Sequence, residues 1–329
     1  MKANAGLGLA LASSATFGTS GSFATSLIRT GWTPVAAATV RICVAAAVLT
    51  IPAMLQLRGR FAELRRGAKL TAAYGVFAVA AAQVCYFNAV AHLSVAVALL
   101  LEYSGILLVI AWLWLTRGHR PRRLTVAGAA TALIGLTLVL NLLSDHHLDP
   151  AGVGWAVGAA IGLAVYFVMS ANTDDGLPPL VFAWGGLVAG GAALLIADVV
   201  GALPFHAPRA AVTLGGATMP WIVPVVGLSV VAAAIAYATG VAGVRLLGAK
   251  LASFVGLTEV LFAVVVAWWL LGQSLTAAQL LGGALVVAGI ALVRLDELRA
   301  GYLGQSSSAV SRARSSEEMP TTVESMNGA

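Results

Sequence analysis

The chain has little charge and almost no cysteine, and each shortage excludes a class of function. Only 10% of its 329 residues are Asp, Glu, Lys or Arg, whereas 60% are hydrophobic. So few charges cannot cover that much apolar surface in water, which excludes a soluble globular protein. The two cysteines, Cys43 and Cys85, sit singly inside apolar runs with neither metal nor redox spacing, and read as packing residues. No Walker-type phosphate loop and no zinc-protease motif occurs, so self-contained ATP-driven transport has no sequence support. The pair His146-His147, flanked by Asp145 and Asp149, lacks a further ligand cluster and reads as a solvated turn. No cofactor and no metal is expected.

What the chain does have is long apolar runs. A helical membrane span needs about 20 mostly apolar residues, and the sequence supplies ten such windows, near 5–27, 34–55, 70–91, 94–116, 124–143, 152–171, 178–200, 219–243, 250–271 and 277–295. The runs are continuous rather than alternating, so they predict helices and not barrel strands. The third and fourth windows nearly fuse. Together they are too long for one crossing, and His92-Leu93-Ser94 is the natural hairpin. The predicted fold is an all-α membrane protein. From Gly304 the chain turns rich in Ser, Thr, Glu and Arg, and residues 304–329 read as a disordered cytoplasmic tail.

The net charge of +6 is distributed as a membrane protein distributes it. With the N-terminus inside, Lys2, Arg58, Arg60, Arg65, Arg66, Lys69, Arg117, Arg120, Arg122, Arg123, Arg245, Lys250, Arg294, Arg299, Arg312 and Arg314 all fall on one side. Only Arg29 and Arg209 fall on the other, and Arg41 lies within a span. This positive-inside pattern places both termini in the cytoplasm and favours an even number of spans. The basic clusters are orientation signals, so no nucleic-acid partner is expected. The partners are the lipid bilayer, a small-molecule substrate and coupling protons.

Two glutamates stand in the middle of apolar runs, each followed ten residues later by a tryptophan: Glu102 with Trp112, and Glu259 with Trp269. A shift of 157 residues superposes Leu100 on Leu257, Glu102 on Glu259, Val109 on Val266 and Trp112 on Trp269. A shift of 154 pairs Gly128 with Gly282 and Gly135 with Gly289, and one of 146 pairs Gly6 with Gly152. The chain is therefore read as a duplication, 5–143 and 152–295, of a five-helix unit. Five is odd, so the second unit enters the membrane from the opposite side. Inverted repeats of this kind place a substrate site near the midplane, at the interface between the halves. At ~1.5 Å per residue, both glutamates fall within a few ångströms of their span centres.

The sequence resembles the drug/metabolite transporter superfamily, in particular the EamA-type bacterial permeases. The resemblance covers about residues 5–295. It is carried by Ser94-Val-Ala-Val-Ala-Leu-Leu-Leu-Glu-Tyr-Ser-Gly105, by Gly256-Leu-Thr-Glu259, by Leu271-Gly-Gln-Ser-Leu-Thr276, and by Gln279-Leu-Leu-Gly282. The first segment is especially similar to the threonine and homoserine exporters. That resemblance implies a ten-span inner-membrane exporter of amino acids or related metabolites. Two departures stand out. Ile106 and Val260 occupy places where the family usually has proline, which removes the expectation of helix breaks there. Arg117-Gly-His119 and Gly272-Gln273 occur where an acidic residue is common.

A charged glutamate at the bilayer centre costs roughly 2.5–3.5 kcal/mol on insertion scales, so such residues face a cavity or a partner. Glu102 and Glu259 are the expected substrate or proton pathway, with Tyr103 and Ser104 as polar neighbours of Glu102. Arg41 either binds a substrate carboxylate, pairs with a glutamate, or is structural. Tyr86, Asn88, Tyr166, Tyr237, Ser14 and Thr16 are candidate cavity walls. For Asn88 and Gln83 interhelical glue is the stronger reading. Trp112, Trp114, Trp268 and Trp269 read as interfacial anchors. A secondary transporter exporting a small metabolite is the leading expectation. Efflux of lipophilic cations is its rival within transport, and a scaffold or an intramembrane enzyme its rival outside it. Those outside rivals want a sizeable exposed domain or a catalytic constellation, and the sequence offers neither.

Overall fold

The computed structural model describes residues 2–93, 95–118, 120–140, 149–172, 176–271 and 276–317. The first run is a rod in two pieces, α1 (Lys2–Gly18) and α2 (Ser20–Ile28), followed by α3 (Pro34–Leu57). Next, α4 (Phe61–Tyr74) passes through a wider π-helical stretch, Gly75–Ala81, into α5 (Ala82–His92). The chain then runs through α6 (Val95–Tyr103), α7 (Gly105–Arg117), α8 (Arg123–Val139), α9 (Pro150–Ser170) and α10 (Pro179–Val199). A short hairpin, β1 (Val212–Leu214) with β2 (Ala217–Met219), precedes α11 (Ile222–Val226). A second π-helical stretch, Gly227–Ile235, leads into α12 (Ala236–Leu247). The chain ends with α13 (Ala249–Gly256), α14 (Thr258–Leu271) and α15 (Ala277–Glu317).

Local chemistry explains many of these boundaries. Thr33 caps α3 by accepting from the Ala36 N–H at 3.3 Å, with Pro34 in the first helical position. Asp149 does the same for α9, accepting from Ala151 N–H at 2.9 Å ahead of Pro150. The hairpin departs from the all-α expectation. Gly215 and Gly216 take φ of +61° and +77°, the left-handed pair that a two-residue turn requires, and the strands pair antiparallel around them.

Among the described residues, eight helical stretches are long and apolar enough to cross a membrane. The expected windows 5–27 and 124–143 fall short of that length. The first is interrupted at Thr19, and α8 has 17 residues. The predicted hairpin between windows three and four is present, since α5 ends at His92 and α6 starts at Val95. At the far end α15 continues through Glu317, past Gly304, where composition predicts a disordered tail; residues 318–329 lie outside the described residues. The bundle's outside is strongly apolar. Val199 is 85% exposed and Leu115 82% exposed, values that only a lipid environment makes sense of.

Helix packing runs through glycine. A Cβ on Gly135 would lie 2.6 Å from the Gly282 carbonyl oxygen, and one on Gly282 would lie 2.6 Å from that of Gly135. Gly128 and Gly289 meet in the same way, at 2.8 and 2.6 Å. The backbones of α8 and α15 therefore touch along a small-residue seam. Elsewhere α1 packs on α12 as α9 packs on α5, and α3 lies against α10. Gly6 meets Leu246 and Leu247, while Gly152 meets His92 and Leu93.

Candidate functional site

Each glutamate stands beside an interruption in its helix. Glu102 is the penultimate residue of α6, and the break follows at Ser104, whose N–H reaches Leu100 O at 3.0 Å while Leu107 N–H reaches back to Ser104 O at 2.8 Å. Glu259 is the second residue of α14, and the break precedes it at Leu257, whose N–H bonds Phe254 O at 3.1 Å. No proline is needed at either place. Ser104 Oγ donates to Leu101 O at 2.5 Å, and Thr258 Oγ1 donates to Val255 O at 2.7 Å, so hydroxyl back-bonding bends both helices. The missing prolines therefore do not remove the breaks. A third interruption adjoins them, because Thr19 Oγ1 bonds Thr16 O at 2.7 Å where α1 gives way to α2. The neighbouring Gly18 packs so closely on α14 that a Cβ would lie 2.9 Å from Glu259 O.

These breaks surround a cavity of about 480 Å³. Glu102, Glu259, Arg41 and Tyr103 are on its wall, with Tyr86, Tyr166, Tyr237 and Ser14. Arg41 enters from α3. Its Nη2 donates to Ala232 O at 2.8 Å, and its guanidinium stacks over Phe17 at 5.6 Å. Ala232 belongs to the second π-helical stretch, where the widened turn leaves carbonyls available to side chains. Among the described residues Arg41 Nε is buried without a partner, and no ion pair within 4.0 Å joins Arg41 to either glutamate. The guanidinium is still in the field of both carboxylates.

Aromatic rings form the rest of the frame. Phe17 and Tyr237 meet edge to face at 5.0 Å, as do Tyr237 and Tyr166 at 6.0 Å, and Tyr166 and Tyr74 lie tilted at 6.1 Å. Ser13 Oγ donates to Ala236 O at 2.8 Å. The close fit depends on Gly240, where a Cβ would collide with the Tyr166 hydroxyl and lie 2.6 Å from Ser13 Oγ.

The sequence neighbours of Glu102 do not serve Glu102. The Tyr103 hydroxyl lies beside Glu259, and Ser104 Oγ is spent on its own helix. Among the described residues the Glu102 carboxylate has no protein hydrogen-bond partner and faces the cavity. Ser104, Asn88 and Thr16 are not on the cavity wall. Asn88 donates to Val84 O at 2.8 Å and Thr16 to Ala12 O at 2.8 Å, each one helical turn back. Sequence reasoning passed over Phe17, which lines the cavity with Ser13 and Ser14 on one face of α1. Helical spacing of Ala10, Ser13, Phe17 and Gly21 would have found that face. Trp112, Trp114, Trp268 and Trp269 are exposed on the outside of the bundle. His146, His147 and Asp145 lie outside the described residues, while Asp149 caps α9 and pairs with His92 Nδ1 at 2.9 Å.

The EamA-like transporter family matches the chain twice, over residues 4–141 and 150–295. The uncharacterized inner membrane transporter YicL of Salmonella typhimurium is 24% identical over 233 residues, covering 69% of this chain and 73% of that protein. An uncharacterized transporter of Archaeoglobus fulgidus is 28% identical over 205 residues, 62% of this chain and 69% of that one. A crystal structure shares the fold with a TM-score of 0.71, at 20% identity, over 88% of this chain and 97% of its own. Since the two matched segments take in most of the sequence, the protein belongs to the EamA-like transporter family of the drug/metabolite transporter superfamily and is a multi-pass membrane transporter, not an enzyme.

Proposed function

We propose that this transporter exports a small metabolite, an amino acid of the threonine or homoserine kind, by alternating access across a bacterial inner membrane. In this reading ten spans form two inverted five-helix repeats, 5–143 and 152–295. Both termini are cytoplasmic, and residues 304–329 form a cytoplasmic tail. The crossed glycine contacts support the inversion. If Gly128 corresponds to Gly282 and Gly135 to Gly289, a twofold axis turns the contact Gly128–Gly289 into Gly282–Gly135, and both contacts occur.

The observation that carries the proposal is the Glu102 carboxylate, facing the cavity without a protein partner among the described residues. A carboxylate in that position calls for a cation, and a substrate ammonium or a coupling proton supplies one. Arg41, on the cavity wall, supplies positive charge for a substrate carboxylate, so an amino acid meets complementary charge at both ends. Glu259, beside Tyr103, takes the coupling proton or supports the site. A second reading, efflux of lipophilic cations, is favoured by the aromatic wall and by the excess of carboxylates over guanidinium in the cavity.

Efflux from proteoliposomes against a panel of amino acids and lipophilic cations, at several pH values, tests both readings. Glu102→Gln is expected to lower export of the accepted substrate roughly 30-fold or more, because a desolvated charge partner is lost. If correctly folded Glu102→Gln and Glu259→Gln chains both transport every accepted substrate at the native rate, the glutamate site fails. Movement of cations but no amino acid would select the second reading.

A further inference from the structure

Toward the N-terminal end of the bundle lies a polar cluster that the transport site does not use. Asp296 of α15 is only 3% exposed, yet Thr125 Oγ1 of α8 donates to its Oδ2 at 2.7 Å. Lys250, in the first turn of α13, reaches the same oxygen at 3.6 Å, Thr125 Oγ1 at 3.3 Å and Glu297 Oε1 at 2.5 Å. One lysine thus ties the short helix α13 to the α8–α15 pair. A buried carboxylate is costly without such partners, so the ties hold one another in place.

The placement matters more than the pairs. α13 lines the cavity with Ala252 and Gly256 and leads through the break at Leu257 to Glu259. The cavity wall reaches Thr25, Ile28 and Pro34 at the end of the bundle away from the N-terminus. Toward the N-terminal end it stops at Ala10, Val244 and Ala252, within a turn of Lys250. The cluster therefore sits where that end of the cavity closes.

The internal repeat shows what stands at the corresponding place on the opposite face. The shift of 157 carries Lys250 to Leu93, and the shift of 154 carries Thr125 to Gln279, Asp296 to Leu142 and Glu297 to Leu143. Every charge in the cluster has an uncharged counterpart. Leu93 is buried and apolar, Gln279 Nε2 only reaches Val139 O at 3.3 Å, and Leu142 and Leu143 lie outside the described residues. Among the described residues no ion pair ties α6 to α8 or α15. The pair at that end, His92–Asp149, joins α5 to α9 instead.

We propose that Lys250, Thr125, Asp296 and Glu297 form a one-sided ionic latch that holds the cytoplasmic end of the cavity shut and biases the resting transporter toward the outward-open state. Alternating access exchanges the conformations of the two repeats. Two equal gates would leave the two states balanced, whereas an ionic tie on one face whose charges have no counterpart in the other repeat sets a preference. The inference rests on the two-sided transport and cytoplasmic termini proposed above.

The test uses full-length chain carrying Cys43→Ser and Cys85→Ser, with Ala252→Cys or Thr25→Cys added singly, labelled by an impermeant maleimide in right-side-out and inside-out vesicles. Adding Lys250→Met is expected to speed labelling of Ala252→Cys from the cytoplasmic face roughly tenfold and to slow that of Thr25→Cys from the outside. Lys250→Arg, which keeps the charge, is expected to label at the native rates. Asp296→Asn, which keeps a partner for Thr125, gives a second and gentler variant should Lys250→Met fold poorly. Unchanged rates, or rates that rise at both positions together, overturn the latch, the second because it marks general loosening. No substrate is needed, so an amino-acid panel that fails to move leaves this result standing. Reciprocal changes seen from reversed faces would keep the latch and overturn the assigned orientation.

Discussion

Glu102 and Glu259 occupy matched places in two copies of one unit, yet their surroundings differ. Glu102 precedes the break in its span and opens onto the cavity without a protein partner among the described residues. Glu259 follows the break in its span and has the Tyr103 hydroxyl beside it, contributed by the other repeat. The residue matching Tyr103 in the second repeat is Val260, which has no hydroxyl to offer Glu102. Duplication supplied two equivalent carboxylates, and a single tyrosine made them unequal. In the scaffold, by contrast, the symmetry is kept, because the seam between α8 and α15 meets itself through matched glycines.

The contrast between a symmetric frame and an asymmetric site is broken first at the frame. Gly135→Val and its counterpart Gly289→Val would each drive a side chain into backbone that has no room to give, at 2.6 Å from a carbonyl oxygen. Both are expected to destabilise strongly and about equally, by ~3 kcal/mol or more each, since overpacking against backbone cannot be relieved by a rotamer change. Thermal unfolding in detergent measures this. A large loss from one and none from the other would mean that the seam is not symmetric.

Tyr103→Phe acts at the site and is expected to have a smaller effect. It removes the hydroxyl beside Glu259 while leaving the ring in its buried place. A loss of about 1.4 kcal/mol of transition-state stabilisation is tenfold in rate, so transport should fall by roughly tenfold with little change in unfolding temperature. Combined with Glu259→Gln the loss should not grow further, because both changes break one interaction. Full additivity of the two would show that Tyr103 acts elsewhere, on Glu102 or on substrate.

Much of the frame was legible before any coordinates. The apolar runs, the hairpin at His92-Leu93 and the repeat containing Gly128, Gly135, Gly282 and Gly289 all depend on local composition, which a sequence displays directly. The turn of β1 and β2 was legible too, since Gly215-Gly216 is a recognised hairpin signal, but it lay unread within a loop. What stayed hidden depends on direction around a helix. Tyr103 and Ser104 follow Glu102 in sequence, yet on a helix adjacent residues point about 100° apart, and Tyr103 serves Glu259 instead. The π-helical stretches at Gly75–Ala81 and Gly227–Ile235 have no local signal beyond their leading glycines, although the second supplies the carbonyl that holds Arg41.

The smallest expected effect lies at the margin of the second repeat. Asp149 caps α9, and the shift of 146 places Ala3 at the matching position in the first repeat, so this cap has no acidic counterpart. The backbone N–H of Ala151, then the His92 side chain, hold the Asp149 carboxyl below its usual range. A carboxyl whose pKa is depressed by folding stabilises the fold above its unfolded value, about pH 4, and that contribution is lost as pH falls through the lower folded value. Asp149→Ala should therefore lower the unfolding temperature slightly at pH 7, and the gap between variant and native chain should close as the pH drops below about 4. His92→Ala should remove only part of the same gap, because the backbone contact is the larger cause. A difference that persists undiminished at pH 3 would show that Asp149 acts through packing rather than as a charged cap.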